Sequence, residues 1–382
     1  MSPSPSGIAN YAETLIASDP ELSDLVFVTE QADQRKGRNA IPPDGSAWSE
    51  PKALLQLGNN VHHGYVLERA HQGGAIVELH DLSLHHLHTE QTLARKDFAE
   101  YLRGLEESEG AFGRRAAFQR ARGFYTPRLD FYLRVNRAVC QRAAAVIVHS
   151  RWAKFQIELQ EVDTPIHVIP HYAVTVEQSH AKSRNKAEAR AHLGLDPDRF
   201  ILLAGGYVTP AKRLDWVISA FETLRNDDVE IDLVVAGACE WAPALELIQT
   251  SPYRDAIRVT GYLSDEDFDE YTLAADVLPL MRFPSAGESS GVAARALGFG
   301  KVIIVPEYAA FSDLPDEVCE KIWLDRPVAP QLVAAIRKFV DDPALLSEQE
   351  ARIARFARAH LSLEHARADL REVLNTYWGG WQ

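Results

Sequence analysis

Short runs of aliphatic and β-branched residues alternate with longer helical stretches along almost the whole chain. Buried strands that alternate with helices are typical of parallel sheets that carry helices on both faces. The sequence therefore predicts an α/β protein with doubly wound, Rossmann-like sheets. The predicted strands are 25–29, 53–57, 75–80, 144–150 and 166–170 in the first half, and 200–204, 231–236, 257–260, 277–280 and 301–305 in the second.

The polar stretch 174–187 interrupts this alternation, has no apolar periodicity and is predicted to link two domains. A chain of 382 residues is also long for one domain. We predict a first domain over 1–178 and a second over 185–360. The final helix, within 361–382, is predicted to cross back and pack on the first domain. Its apolar positions are 366, 370, 373, 374 and 378.

Composition excludes several classes of protein. The net charge of −14 argues against nucleic-acid binding, which needs a basic surface. The three cysteines are far apart and lack metal or disulfide spacing, which suits a reducing compartment. No apolar run reaches the ~20 residues of a membrane span. The first residues lack the basic and apolar regions of a secretion signal. We expect a cytoplasmic protein.

One region departs from the acidic average. Residues 110–155 contain ten cations and one acid, Asp130, with aromatic residues interleaved. Charge runs usually form solvated helical faces. The alternative is a surface for anionic lipid heads or a lipid-linked phosphate acceptor, and this alternative predicts peripheral contact with the inner face of the membrane.

The stretch 283–305 combines a loop, a helix start, a glycine stop and a strand. Glu288 is followed by Ser289, Ser290 and Gly291, which are predicted to begin a short helix. A helix N-terminus with hydroxyls and free amides suits a phosphate or sugar oxygen. The alternative is an ordinary crossover helix with a serine cap, because helix N-caps favour serine.

Other polar groups follow predicted strands. Lys212 and Arg213, after Gly205 and Gly206, suit a diphosphate, and the amides of 261–263 could read a nucleobase edge. The segments 57–63 and 79–86 also contain polar groups at the ends of predicted strands, and His80 is the last residue of one of these strands. The histidines of 80–88 lack the spacing of a zinc site, so no metal is predicted there. The sequence contains no P-loop, nucleophile elbow or dinucleotide fingerprint.

Taken in order, these motifs resemble the retaining glycosyltransferases of family four, which have the GT-B fold. The resemblance covers nearly the whole chain and implies two domains that face each other across a cleft. The donor, a nucleotide-diphosphate sugar, would bind mostly to the second domain, and a glycan or lipid-linked acceptor to the first. The motifs are PSGIANY, LGNNVHH, LHDLSLHH, AAVIVHSRWAK, HVIPHY, GGYVTPAKRLDWVISAF, VTGYLSDEDFDEYTLAADV and GESSGVAARALGFGKVI.

The resemblance also implies roles for individual residues. His80, Lys212 and Glu288 would be the catalytic group: His80 near the reacting face of the sugar, Lys212 on the diphosphate and Glu288 on sugar hydroxyls. No cofactor or metal is implied, because cations and helix dipoles would replace a metal on the leaving diphosphate. The remaining donor-binding residues would be Gly7, Gly206, Arg213, Tyr262, Leu263, Ser289, Ser290 and Gly291, and the acceptor-side candidates are Asn59, His63 and Asp81.

Three positions depart from the family pattern. Tyr207 stands where the family has an arginine, which leaves the phosphate to Lys212 and Arg213. Arg295 stands where a second glutamate would contact ribose. The strand expected before residues 2–4 is missing, which predicts a late assigned start, a trimmed chain or a first domain without its central strand.

The function implied is hexosyl transfer to an acceptor hydroxyl with retained configuration, in bacterial polysaccharide or glycoconjugate assembly. One alternative is a nucleotide-sugar epimerase of the same architecture, which would convert the donor without an acceptor. A second is a catalytically degenerate sugar-nucleotide-binding protein, which Tyr207 and Arg295 favour.

Overall fold

The computed structural model of the chain describes residues 7–17, 19–22, 25–28, 40–42 and 52–379. The loop at residues 2–6, expected to precede the first helix, therefore lies outside the described residues. Contacts within the chain divide it into two units. The first unit contains Met1–Pro170, Pro284–Ser289 and Glu364–Gln382, and the second contains His171–Phe283 and Ser290–Leu363.

The first unit is built around a sheet of four parallel strands. Its strands and first helices are β1 (Phe27–Val28), β2 (Ala40–Ile41), β3 (Leu54–Leu57), β4 (Ile76–Leu79), β5 (Ala145–Val148), β6 (Ile166–Val168), α1 (Gly7–Ala17), α2 (Gly64–Gln72), α3 (His85–Thr92), α4 (Phe98–Ala121), α5 (Leu129–Tyr132), α6 (Arg137–Arg142) and α7 (Arg151–Glu158). The four strands of the sheet pair in chain order, β3-β4-β5-β6. Side chains of β3, β4 and β5 lie in a core with α2, α6 and α7.

The predicted strand 25–29 is only partly right. Among the described residues it is reduced to the two residues of β1, which pairs in parallel with β2 and does not join the four-stranded sheet. An apolar run predicts an extended conformation, but it does not specify which strand it pairs with.

The second unit is built around a sheet of six parallel strands. Its elements are β7 (Phe200–Gly205), β8 (Ile231–Ala236), β9 (Ile257–Val259), β10 (Val277–Pro279), β11 (Val302–Pro306), β12 (Glu320–Ile322), α8 (Lys186–Leu193), α9 (Leu214–Asn226), α10 (Ala242–Thr250), α11 (Asp265–Ala274), α12 (Gly291–Gly298), α13 (Val328–Val340) and α14 (Pro343–His360). The strand order is β12-β11-β10-β7-β8-β9. Pairing runs outward from β7 in both directions, which is the order of a Rossmann sheet, with its reversal between β7 and β10.

Helix α9 shows why helices of the second unit can be predicted from the sequence. Its apolar residues at 214, 217, 218, 221 and 224 recur at helical spacing and are buried, so that one face of the helix covers the sheet. Strand β12, in contrast, is absent from the predicted strands. It is three residues long, and only Ile322 of the three is buried, so it gives little apolar signal.

The polar stretch 174–187 packs within the second unit. The backbone amide of His180 donates to Asp269 at 2.9 Å, and the amide of Ser183 donates to Glu270 at 2.8 Å. Both acids lie on α11 and are buried. A polar segment can therefore be ordered by backbone donors, because the buried acids need partners.

The last helix, α15 (Leu363–Trp378), packs on the first unit. Arg367, which is buried, donates from Nε to the carbonyl of Leu15 at 2.9 Å and from Nη2 to that of Thr14 at 3.2 Å. These carbonyls belong to the last turns of α1, whose final carbonyl groups lack partners within the helix. Arg371 also donates to Asp19 at 3.1 Å. None of the described helices is long and apolar enough to cross a membrane.

Replacing Arg367 by methionine should destabilise the first unit by about 1–3 kcal/mol, because one buried and one partly buried carbonyl would lose a charged donor. Urea denaturation followed by circular dichroism measures the change. The matched control is Arg352→Met, since Arg352 forms an exposed pair with Glu348 at 2.9 Å. That control should change stability by less than about 0.5 kcal/mol. Equal effects of the two variants would contradict the docking role of Arg367.

Candidate active site

The end of β7 and the start of α12 approach each other closely. A Cβ atom on Gly205 would lie 3.0 Å from Val292 Cγ1, and one on Gly206 would lie 2.5 Å from Lys212 Nζ. Gly206 also has a φ of +85°, which side chains other than glycine rarely adopt. The glycine pair therefore allows the helix and the lysine to reach the strand end.

Lys212 lies at the end of a short 3-10 turn, Pro210–Lys212, and donates from Nζ to the carbonyl of Gly205 at 2.8 Å. Arg213 follows in a left-handed conformation, with φ of +49°. Its guanidinium binds Asp215 and stacks over Trp216, 3.9 Å from the ring centre. The two cations predicted to act together therefore have different surroundings: Lys212 lines the pocket described next, whereas the charge of Arg213 is balanced by Asp215.

A pocket opens where the strand order of the second unit reverses. Open α/β sheets bind ligands at the carboxyl ends of their strands at this reversal. Lys212 places an ammonium group in the pocket, and Ser290 and Val292 place the start of α12 there. The lining residues are Ala204, Gly205, Val208, Lys212, Leu214, Val217, Pro279, Leu280, Met281, Arg282, Ser290, Val292 and Phe311.

Ser290 is the N-cap of α12. Its hydroxyl oxygen accepts from the backbone amide of Ala293 at 3.2 Å. The serine caps the helix, and the capped end also lines the pocket. The positive end of the helix dipole and the amides of its first turn are directed to the N-terminal side.

Glu288 lies on the loop Pro284–Ser289, which belongs to the first unit. Its carboxylate accepts from the hydroxyl of Ser285 at 2.8 Å, and the carbonyl of Ala286 accepts from the amide of Ser83 at 2.9 Å. Gly287 has a φ of +79°, and a Cβ there would lie 2.5 Å from Leu82 Cβ. The loop therefore packs against the segment that follows His80.

His80 immediately follows β4 and belongs to a buried polar cluster with Tyr11, Gln56, Glu78 and His149. The donor atoms of Glu78, His80 and His149 all lie within 4.8 Å of one another, so this group could hold a metal ion. Burial raises the pKa of Glu78 to about 7 and lowers the pKa of His149 to about 4. The histidines at 85, 86 and 88 are not part of this group.

The acceptor-side candidates tie two loops together. The amide of Asn59 donates to Asp81 Oδ2 at 2.7 Å, and the side-chain carbonyl of Asn59 accepts from the amide of Leu87 at 2.9 Å. His63 Nδ1 lies 3.0 Å from the amide of Gly58, and burial lowers the pKa of His63 to about 4. These side chains hold the loop after β3 against the loop after β4. Gly7 is the first residue of α1, and a Cβ there would meet no atom of the described residues within 4 Å.

The remaining predicted residues lie in the second unit. The side chain of Tyr262, after β9, is 79% exposed, whereas Leu263 packs against the core. Tyr207 is half exposed and its hydroxyl donates to Glu240. Arg295 binds Asp265 and Asp269 of α11 at 3.3 and 3.2 Å, so its guanidinium is directed to that helix.

Sequence reasoning missed Tyr11, Gln56, Glu78 and His149. One signal was available, since Glu78 interrupts an otherwise apolar strand and is only 1% exposed. A carboxylate at such a position needs partners, and charged residues are seldom buried without them. The partners lie far along the chain, on α1, β3 and the loop after β5, and no local pattern connects them.

Comparisons with known proteins agree with this architecture. Residues 185–360 match the family model described as Glycosyl transferases group 1. WaaG, a glycosyltransferase involved in lipopolysaccharide biosynthesis, is similar over 98% of this chain and 97% of its own, with a TM-score of 0.65 and 13% identity. Sucrose-phosphate synthase from Thermosynechococcus elongatus is similar over 87% and 74%, with a TM-score of 0.61 and 18% identity.

A further similar structure is Anabaena HepE in complex with UDP and glucose, with a TM-score of 0.57 and 13% identity. The alignment covers 85% of this chain and 99% of HepE. No curated protein matches the chain at the level of sequence.

These solved structures and the two sheets give the chain the GT-B fold, which is the fold of glycosyltransferases. The match to the group 1 glycosyl transferases covers residues 185–360, in the second unit. The predicted similarity to glycosyltransferases of the GT-B fold is confirmed, and so are the two parallel-sheet α/β domains and the C-terminal helix.

Replacing Ser290 by alanine should cost about 0.5–2 kcal/mol of stability, because the amide of Ala293 would lose its cap. The matched control is Ser264→Ala, since Ser264 caps α11 through the amide of Asp267 at 3.1 Å. Urea denaturation without ligand should show similar losses for the two variants. A loss for Ser264→Ala alone would contradict the capping role of Ser290.

Proposed function

We propose that the protein transfers a hexosyl group from a nucleoside-diphosphate sugar to an acceptor hydroxyl with retained anomeric configuration. One observation carries this proposal: the ammonium of Lys212 and the N-terminus of α12 meet in one pocket at the reversal of strand order. Both features favour an anion, and a diphosphate is the anionic part of such donors.

The donor would lie on the second unit, with its diphosphate between Gly206, Lys212 and the amides of Ser289, Ser290 and Gly291. Tyr262 and Leu263 would border the base, and Glu288 would bind sugar hydroxyls. UDP is the first nucleotide to test, because the solved structure of HepE contains UDP and glucose and that of the pneumococcal transferase GtfA contains UDP and GlcNAc. The paired charge of Arg213 makes Lys212 the principal phosphate ligand.

The proposed reaction is a front-side displacement. The bond between the anomeric carbon and the diphosphate oxygen breaks, and the bond to the acceptor oxygen forms on the same face through a short-lived oxocarbenium ion. The acceptor hydroxyl gives its proton to the leaving diphosphate. Lys212 stabilises the negative charge that develops on that group, and His80 lies at the reacting face of the sugar. Preorganised charges of this kind supply the largest part of many enzymatic rate enhancements, so the reaction needs no metal or cofactor.

The acceptor would be a glycan or a lipid-linked intermediate of polysaccharide or glycoconjugate assembly, bound by the first unit. The Arg-rich stretch 110–155 supports cytoplasmic action at the inner face of the membrane. Phe112, Phe118 and Phe124 are 55%, 41% and 73% exposed, and they lie among the arginines of the stretch. Exposed aromatics among cations suit an anionic lipid surface.

A sugar-nucleotide-binding protein without transfer activity is the second candidate. It is favoured by the pairing of Arg295 with Asp265 and Asp269 at the position where the family has a ribose-binding glutamate. Donor binding in calorimetry, with neither hydrolysis nor transfer over a panel of acceptors, would support it. A change of the donor without acceptor would instead indicate an epimerase.

Lys212→Ala should lower turnover roughly 10²–10³-fold, because one charged contact to the leaving group is lost. Thermal-shift screening with UDP, GDP, ADP and dTDP sugars first identifies the donor, since a ligand of the folded state raises the melting temperature. Release of the free nucleoside diphosphate from that donor is then measured. The control is Lys338→Ala, an exposed lysine of α13 paired with Glu320, which should keep normal turnover. Near-normal turnover of Lys212→Ala would overturn the assignment.

Sedimentation with vesicles that contain phosphatidylglycerol tests the membrane contact. We expect binding that weakens as salt increases, since exposed charges are screened. The double change Phe118→Ser and Phe124→Ser should reduce binding roughly tenfold or more, because two apolar side chains no longer enter the lipid. Trp323→Ser is the control, since Trp323 is 48% exposed on the second unit. Failure of the wild-type protein to sediment with anionic vesicles would contradict the contact.

A further inference from the structure

Three buried side chains at the carboxyl ends of β4 and β5 direct nitrogen and oxygen atoms to one another. Glu78 lies in β4, His80 directly follows β4, and His149 directly follows β5. His80 Nδ1 lies 3.1 Å from His149 Nε2, and the same nitrogen of His149 lies 3.8 Å from Glu78 Oε1. One atom from each of the three side chains lies within 4.8 Å of the other two. Two imidazole nitrogens and one carboxylate oxygen therefore form a small triangle.

The size of this triangle suits a transition-metal ion. Zinc binds imidazole nitrogen at about 2.0–2.1 Å and carboxylate oxygen at about 2.0–2.2 Å, usually with tetrahedral geometry. Two ligand atoms of such an ion are therefore roughly 3.3–3.5 Å apart. The separations of 3.1 Å and 3.8 Å at His149 Nε2 lie on either side of that value. Small rotations of the side chains would bring the three atoms to bonding distance.

The other nitrogen of each imidazole lies against an oxygen acceptor. His80 Nε2 lies 2.6 Å from Gln56 Oε1, and His149 Nδ1 lies 2.9 Å from the carbonyl of Ile169. Histidines that bind metals almost always donate their second ring N–H to an oxygen in this way. Such a bond fixes the tautomer and the direction of the ring. In the neutral form of each ring, the nitrogen that belongs to the triangle is then the one with a lone pair.

The carboxylate of Glu78 is also held in place. Gln56 Nε2 donates to Glu78 Oε2 at 2.5 Å, and the hydroxyl of Tyr11 donates to Glu78 Oε1 at 3.1 Å. Carboxylates that bind metals are hydrogen-bonded in the same manner. A chain of hydrogen bonds thus runs from Glu78 through Gln56 to His80. The ring of Tyr11 packs edge-on against the imidazoles of His80 and His149.

Burial makes a bound cation favourable at this place. Glu78 is 1% exposed, His80 is 7% exposed and the side chain of His149 is 2% exposed. Buried charges in proteins are generally paired or coordinate metals, because an isolated charge is costly to remove from water. Among the described residues, no lysine or arginine forms an ion pair with Glu78. A divalent ion would supply the positive charge that this carboxylate needs.

We propose that Glu78, His80 and His149 form a binding site for one divalent transition-metal ion, with Zn²⁺ as the first ion to test. Two imidazoles and one carboxylate are an established ligand set for zinc. Three protein ligands leave the fourth tetrahedral position to a water molecule. Mg²⁺ and Ca²⁺ prefer oxygen ligands, so they should bind weakly at this site.

The ion would join the ends of two neighbouring strands. Strands β4 and β5 pair in parallel up to Leu79 and Val148, and the two histidines directly follow these residues. A bound ion would therefore stabilise the sheet of the first unit and fix the ring of His80. It would have a structural role, separate from the transfer reaction proposed above, which uses no metal.

Metal binding is measured with the full-length protein after treatment with EDTA and removal of the chelator. Calorimetric titration with Zn²⁺, followed by gel filtration and metal analysis, should give one tightly bound ion per chain. Zn²⁺ should raise the melting temperature, because it binds the folded state, whereas Mg²⁺ at the same concentration should not. Co²⁺ serves as a spectroscopic probe, since its visible absorption reports four-coordinate binding by nitrogen and oxygen.

Variants separate this site from histidines elsewhere in the chain. His149→Gln and Glu78→Gln should each abolish the tightly bound equivalent, because one of three ligands is replaced by a weak one. Gln56→Met removes the hydrogen bonds to two ligands and should weaken binding roughly 10–100-fold. The matched control is His85→Gln, since His85 is also buried and lies 2.5 Å from a carboxylate, that of Asp130, but is outside the group. This control should bind Zn²⁺ as the wild type does.

Circular dichroism of the metal-free proteins first shows which variants are folded. Zinc binding of wild-type strength in folded His149→Gln or Glu78→Gln would overturn the site, because the ion would then lie elsewhere. If neither of them folds, Gln56→Met decides, and unchanged affinity in that variant would overturn the site.

A wild-type protein that retains neither Zn²⁺ nor Co²⁺ through gel filtration would also overturn the proposal. The transferase assignment is tested separately, because metal binding needs no sugar donor. Lys212→Ala should bind Zn²⁺ as the wild type does, whatever its turnover. Loss of the transferase assignment would appear in the donor screen and in the turnover of Lys212→Ala, with metal binding unchanged.

Discussion

The approach of α12 to the end of β7 is the constraint on which the pocket of the second unit depends. Glycines at 205 and 206 leave space that a single Cβ would fill, since it would meet Val292 or the ammonium of Lys212. Because the backbones come this close, a helix N-terminus and a lysine reach the same pocket. The strand order reverses at this point, which keeps the crossover connections away from the opening. Close packing of the backbones therefore places the ammonium group and the helix start in one pocket.

The first unit differs from the second because it has a buried polar cluster at the ends of its strands. Glu78 and its partners occupy positions where apolar residues would pack more cheaply, and they remain there only because the chain of hydrogen bonds can be completed. The strand ends set the distances in that chain. The same sheet edge therefore holds both His80 and the buried carboxyl group of Glu78.

The motif 288–291 is divided between the two units, because the loop Pro284–Ser289 belongs to the first. Glu288 and Ser289 pack with the first unit, whereas Ser290 and Gly291 begin α12 in the second. The peptide chain keeps Glu288 within two residues of the pocket lined by Ser290. The carboxylate of Glu288 and the start of α12 are thus close together along the chain, although their packing partners differ.

The sequence by itself determined the α/β class, most strands and helices, and the residues at the strand ends of the second unit. Apolar periodicity predicts which residues are buried, and glycine and serine predict tight turns and helix caps. These predictions depend only on short stretches of sequence. Tertiary structure alone decided that β1 pairs outside the main sheet, that 174–187 packs on the acids of α11, and that Arg213 pairs with Asp215. It also brought Tyr11, Gln56, Glu78 and His149 around His80. Such contacts join residues tens of positions apart, and their energies depend on distances that only the folded chain sets.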